Sequence, residues 1–198
     1  PKKSEDELKC THLLIDAIEI LVNVDGNQLT QHKSDPIFIV PPTTAVNTLC
    51  LALVDKTVDM QYVGTLAKLL TVICLFKGGY NLVLDGFQHI SEVKNEKRRY
   101  STLIKLLATE GQWDAAFYIL TLVNSLVTMS PYYDKRIRTR KELSEAGLDQ
   151  VLTDMKANEN STDEVDQKIK EYEEDAESDL EALKIKFSHV AEVNLDDV

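Results

Sequence analysis

The segment "FYILTLVNSLVTMSPYYDKRIRTRKELSEAGL" (117–148) decides the fold. Its first half is aliphatic around the whole helical circumference, with one asparagine, Asn124, in the middle. Its second half turns basic and closes on Gly147-Leu148. A helix that is apolar on every side is buried on every side, so other helices must lie both behind and beside it. The rest of the chain agrees. Of its 198 residues 43 % are hydrophobic, but only 7 are Gly and 5 are Pro, so tight turns are scarce and helices favoured. β-Branched residues nowhere alternate with polar ones as a strand requires.

Helical spacing of apolar residues recurs along the chain. The segment "ELKCTHLLIDAIEILVNV" (7–24) comes first, then a short helix at 27–33 after Asp25-Gly26. A loop follows at 34–42, where Pro36, Pro41 and Pro42 remove donors. Further helices are predicted at 43–56, 59–76, 80–97, 99–110, 112–128, 135–147 and 149–158, and a long polar one from about 162 to 188. Three aliphatic blocks, "AIEILVNV" (17–24), "AKLLTVICLF" (67–76) and "YILTLVNSLV" (118–127), align at a period of about fifty residues. Shorter amphipathic helices separate them. This is the organisation of an all-α, armadillo- or HEAT-like right-handed solenoid, closed by a long C-terminal helix.

In such an array the innermost helix of each repeat lines a concave groove. Residues three apart on a helix share a face. Ile20 and Asn23, then Leu69, Val72 and Leu75, then Thr121 and Asn124 are thus expected to form one ladder along that groove. An Asn in such a ladder bonds a partner's backbone while the aliphatics hold its apolar side chains. The competing reading is that Asn23 and Asn124 are satisfied internally by neighbouring helices.

The run from Leu122 to Asn160 resembles the N-terminal regulatory region of diaphanous-related formins, the FH3 or diaphanous inhibitory domain. The likeness rests on an apolar helix bearing an Asn, a short loop, and then Arg136, Arg140, Glu142, Leu143, Gly147 and Leu148. "LAKLLTVICLF" (66–76) and "AIEILVNV" resemble the preceding inner helices of the same domain, so the likeness runs in order over about 13–160. It implies an armadillo array that binds an amphipathic helix from the same protein's C-terminal autoregulatory segment. It also implies a GTP-bound Rho-family GTPase that binds near the N-terminal end and releases that tail. The tail positions it implies are Asn23, Leu69, Val72, Leu75, Thr121 and Asn124. Little precedes the first apolar helix, so the GTPase-binding segment and the first repeat are expected to be truncated. An actin-cytoskeletal, cytoplasmic setting is implied as well. An unrelated armadillo or HEAT scaffold without an autoinhibitory tail is the alternative. Residues 1–160 would form the repeat domain, and 161–198 an acidic inter-domain helix and tail.

The charge pattern narrows the partners. A net charge of −11 disfavours nucleic acid and suits a basic peptide. Seven acids lie between Glu171 and Glu181, and Glu173, Glu174 and Glu177 are expected to dock basic residues or simply to face solvent. Val165, Ile169, Tyr172, Ala176, Leu180, Leu183 and Phe187 form a stripe that should pack on the last repeat or on a partner helix, including a second copy in a homodimer. The basic islands "KRIRTRK" (135–141) and "KNEKRR" (94–99) suit acids of neighbouring helices, or an acidic phospholipid or partner surface.

Cys10, Cys50 and Cys74 read as buried free thiols of a reducing compartment. No apolar run reaches the roughly 18 residues of a membrane span. The polar start shows no signal peptide, and Pro1 in place of methionine suggests a fragment. His12, His32, His89 and His189 are scattered, and no phosphate loop, nucleophile elbow or Cys–His pair is present. The expectation is a binding module with no cofactor or metal, and not an enzyme.

Overall fold

The structure, a computed structural model, describes residues 43–109 and 111–191, the last three through their backbone only. Ile20, Asn23, Cys10 and the predicted helix at 7–24 lie outside the described residues. Eight α-helices and no strands occur among those described: α1 (Thr43–Leu53), α2 (Met60–Leu75), α3 (Gly79–Val93), α4 (Ser101–Leu107), α5 (Trp113–Thr128), α6 (Tyr133–Glu145), α7 (Leu148–Lys156) and α8 (Asp163–Ala191).

Each predicted helix in this span exists, with ends displaced by a few residues. The helix expected at 80–97 stops at Val93, since Asn95 takes φ 52° and cannot continue it. Gly147, at φ 103°, lets the chain turn from α6 into α7 where a side chain would be strained. Asp163, Glu164 and Asp166 occupy the first turn of α8, where carboxylates complement the helix dipole.

Two layers result. The aliphatic helix α5 packs between α2 and α8, making an inner layer of three. The remaining helices back it. Leu120, Leu122, Val123, Leu126 and Val127 of α5 are all at most 1 % exposed, each worth about 1.5–3 kcal/mol of burial. Within the backing layer α1 and α3 approach closely at Gly86 of α3, where a Cβ would lie 2.5 Å from Cys50 Sγ on α1. Tyr80 of α3 donates its hydroxyl to the Leu126 carbonyl of α5 at 3.1 Å.

Helix α8 is not separate from the array in its first half. Val165, Ile169 and Tyr172 join the same core as α2 and α5. The division expected at 160/161 therefore falls inside a shared core. The apolar stripe also splits. It is buried through Tyr172, half-buried at Ala176, and then interrupted by Asp179, only 2 % exposed, which takes the next inward position. Leu180 and Phe187 stay about half exposed, at 49 % and 54 %.

Candidate functional site

The inner layer turns one line of side chains away from the core on each helix. On α2 this line runs through Thr65, Lys68, Val72 and Leu75, at three- and four-residue steps. On α5 it runs through Asp114, Phe117, Tyr118, Thr121, Asn124 and Thr128. The two helices lie close enough that a Cβ at Gly64 would stand 3.1 Å from Tyr118 Cδ2. The two lines lie on neighbouring inner helices, α2 packing on α5 and α5 on α8.

The candidate positions differ in exposure. Leu69 is 5 % exposed and belongs to the core. Val72 is half-buried, and Leu75 is 61 % exposed. Thr121 is half-buried and donates its hydroxyl to the Phe117 carbonyl at 2.8 Å. Asn124 donates its side-chain N–H to the Lys168 carbonyl of α8 at 3.1 Å, while its Oδ1 is buried without a partner. Its amide therefore joins two inner helices. Phe117 lies under the Lys168 ammonium, 5.9 Å from the ring centre.

The three acids singled out on α8 are exposed. Glu173 pairs with Lys156 of α7 at 2.6 Å and Glu174 with Lys170 at 3.5 Å. Glu173 thus faces α7. Helical spacing puts Glu164, Glu171 and Asp175 on the same face of α8 as Lys168, which lies against α5.

The basic island 135–141 serves the structure. Arg136 Nη1 and Arg140 Nη2 grip the two oxygens of Asp179, at 3.0 and 3.2 Å. Arg140 also donates to the Tyr172 carbonyl at 3.0 Å and stacks 4.7 Å from the Tyr172 ring centre. Arg136 donates to the Ser130 carbonyl at 2.6 Å. Glu142 reaches Arg99 at 3.6 Å, and Leu143 and Leu148 are fully buried. Arg136 and Arg140, two of the residues that carried the family resemblance, thus lock α8 onto the array. Ile137 is half-buried and Thr139 is the inward residue of that turn. Asp179 was not singled out in the sequence. Its signal was an acid on the inward phase of the stripe, seven residues after Tyr172, with two arginines four apart upstream.

Cys50 and Cys74 are buried free thiols, both pushed up to about 12 by burial. Among the described residues no group of three or more His, Cys, Asp or Glu is placed to hold a metal ion. Among them, too, no helix is long and apolar enough to cross a membrane.

Known proteins share this architecture. Residues 80–198, more than half of the chain, match the Diaphanous FH3 Domain. Formin-F of Dictyostelium discoideum is 32 % identical over 126 residues, covering 61 % of this chain and 10 % of that protein. Human protein diaphanous homolog 2 is 31 % identical over 129 residues, covering 63 % of this chain and 11 % of that protein. Formin-like protein 3 of Danio rerio is 28 % identical over 169 residues, covering 77 % and 16 %. The chain thus spans only about a tenth to a sixth of the length of these relatives. The crystal structure of E. histolytica Formin1 bound to EhRho1-GTPgammaS superposes with a TM-score of 0.67 at 18 % identity, over 76 % of this chain and 53 % of that one. That likeness is one of fold. With the family model matching more than half of its length, this chain belongs to the diaphanous FH3 domain family of the formins.

Proposed function

We propose that the trough along α2 and α5 binds an amphipathic helix from the C-terminal autoregulatory segment of the parent formin, and that a GTP-bound Rho-family GTPase relieves this contact. The observation that carries the reading is Leu75. A leucine 61 % exposed at the end of an otherwise buried helix, with Val72 half-buried one turn before it, offers an apolar contact to a partner. Leu69 supports it from below, and Thr121 and Asn124 flank it. The exposed acids of α8, Glu173, Glu174 and Glu177 among them, attract basic residues beside the tail helix and set its orientation. The GTPase acts at the N-terminal end of the array, and Ile20 and Asn23, outside the described residues, belong with the tail-binding positions. Tail and GTPase are then negatively coupled ligands of one module. The setting is the cytoplasmic actin cytoskeleton, with filament assembly performed by other parts of the formin.

A titration with a synthetic peptide of that C-terminal segment tests the reading. Leu75→Asp and Val72→Asp weaken binding by about 2 kcal/mol or more, as loss of a central apolar anchor does. Equal binding by wild type and both variants overturns it. The exposed Leu180 and Phe187 on the far half of α8 favour a second, compatible contact, a homodimer through that helix. Sedimentation equilibrium checks it: Leu180→Glu with Phe187→Glu yields a monomer, and a wild-type monomer at high concentration rules the dimer out.

A further inference from the structure

A second site stands apart from the trough. A cleft of about 630 Å³ opens where the turn between α1 and α2, the end of α3 and helix α4 meet. That is the volume of a small-molecule site. Three lysines, Lys56, Lys94 and Lys105, line it, each from a different part of the fold. In a chain of net charge −11 this convergence is unusual.

Two carboxylates also line the cleft, and each accepts hydrogen bonds from a nearby threonine. Asp55 Oδ1 accepts the Thr57 N–H and hydroxyl at 2.9 and 2.8 Å. Glu96 has a side chain only 12 % exposed, and it accepts the Thr102 hydroxyl as well as the Thr102 N–H at 3.2 Å. The ammonium groups are held more loosely. Lys94 Nζ donates once, to the Val54 carbonyl at 2.8 Å, which fixes its place and leaves two N–H groups to spare. Lys105 stands 4.0 Å from Glu96 with its side chain 77 % exposed. Lys56 is exposed at the mouth, and the exposed Lys97 and Arg98 follow Lys94 in the chain. The acids keep their charge, so the lining carries three cations against two anions, and the threonine hydrogen bonds hold both carboxylates in place. Lysines suit this arrangement as compact point charges for phosphate oxygens.

We propose that this cleft binds a polyanion bearing phosphate monoesters, supplied either as a free inositol phosphate or as the headgroup of a phosphoinositide. The site is independent of the trough, because none of Leu69, Val72, Leu75, Thr121 or Asn124 lines it.

The test is calorimetric titration of the 198-residue chain with inositol hexakisphosphate, beside sedimentation with phosphatidylcholine vesicles carrying phosphatidylinositol bisphosphate. Binding in either arm, lost about thirty-fold in Lys56→Gln with Lys105→Gln, supports the site, as expected for removing two surface charges. Binding in the soluble arm alone identifies a free phosphate as the source, and binding to vesicles identifies the headgroup. Lys141→Gln, an exposed lysine on α6, changes binding by less than about twofold, the reduction in net charge alone being too small to matter. No binding in either arm overturns the proposal. So does an equal loss in Lys141→Gln, or a hexaglutamate peptide that binds as tightly as the inositol phosphate. Binding of the tail peptide stays the same in the double lysine variant, so the two sites fail or stand separately.

Discussion

Helices α2 and α5 are of equal length, 16 residues, and both are aliphatic inner helices. They end differently. Among the described residues α5 has inner-layer neighbours on both sides, α2 and α8, while α2 has α5. The polar residue in the outward line of α5, Asn124, is consequently spent on α8. The outward line of α2 finishes instead in the exposed Leu75. Similar composition thus gives a closed surface or an open one according to what is stacked beside it. An apolar block marks a helix as inner; its neighbour decides whether that helix still has a face to offer.

Several experiments break or sharpen this contrast. The largest effect is expected at alkaline pH, on the sealed side of α2. Cys74 of α2 and Cys50 of α1 are held up to about 12, from 9.0, by burial. Below pH 9 their contribution to stability is complete. Between 9 and 12 the unfolded chain gives up these protons and the folded one keeps them, so stability falls by about 1.4 kcal/mol per pH unit for each thiol. Urea unfolding at successive pH values measures the slope, and Cys74→Ala removes one share of it. An unchanged slope would place the alkaline loss elsewhere.

On the other side of α5, Asp179→Ala leaves two arginines without their shared carboxylate. It costs about 3–5 kcal/mol by urea unfolding, as breaking a buried ion pair does. Replacing all three together by apolar residues, with Arg136→Met, Arg140→Met and Asp179→Leu, recovers most of that loss. Asn124→Ala removes a single hydrogen bond and costs about 1 kcal/mol. Leu75→Ser is the smallest change, within about 0.5 kcal/mol, because the side chain already meets water. A large loss of thermal stability in Leu75→Ser would show that α2 is covered rather than open.

The sequence made the array legible because the inner helices advertise themselves: no other element explains an aliphatic circumference such as that of α5. It made the helix ends less legible, because Asn95 and Val93 give no sign of stopping α3 where they do. Within the ladder, spacing put Leu69, Val72 and Leu75 on one face. It could not grade them, since exposure depends on how far the backing helices reach. The acidic segment of α8 was harder still. Seven acids look alike in the sequence, and which of them turns inward depends on the phase of α8 against α6, some forty residues away. Arg136 and Arg140 likewise read as a solvated basic run until the carboxylate that they share is in place. Spacing alone also gave no reason to separate Glu173, facing α7, from Glu171 and Asp175.

The double grip on Asp179 has a mechanical consequence. One carboxylate held by two guanidinium groups on the same helix fixes both the rotation of α8 about its axis and its slide along it. Beyond that pin the helix runs on to Ala191, with Leu180, Ile185 and Phe187 exposed. With Val165, Ile169 and Tyr172 seated in the core before it, that pin sets the heading of whatever the last turns carry.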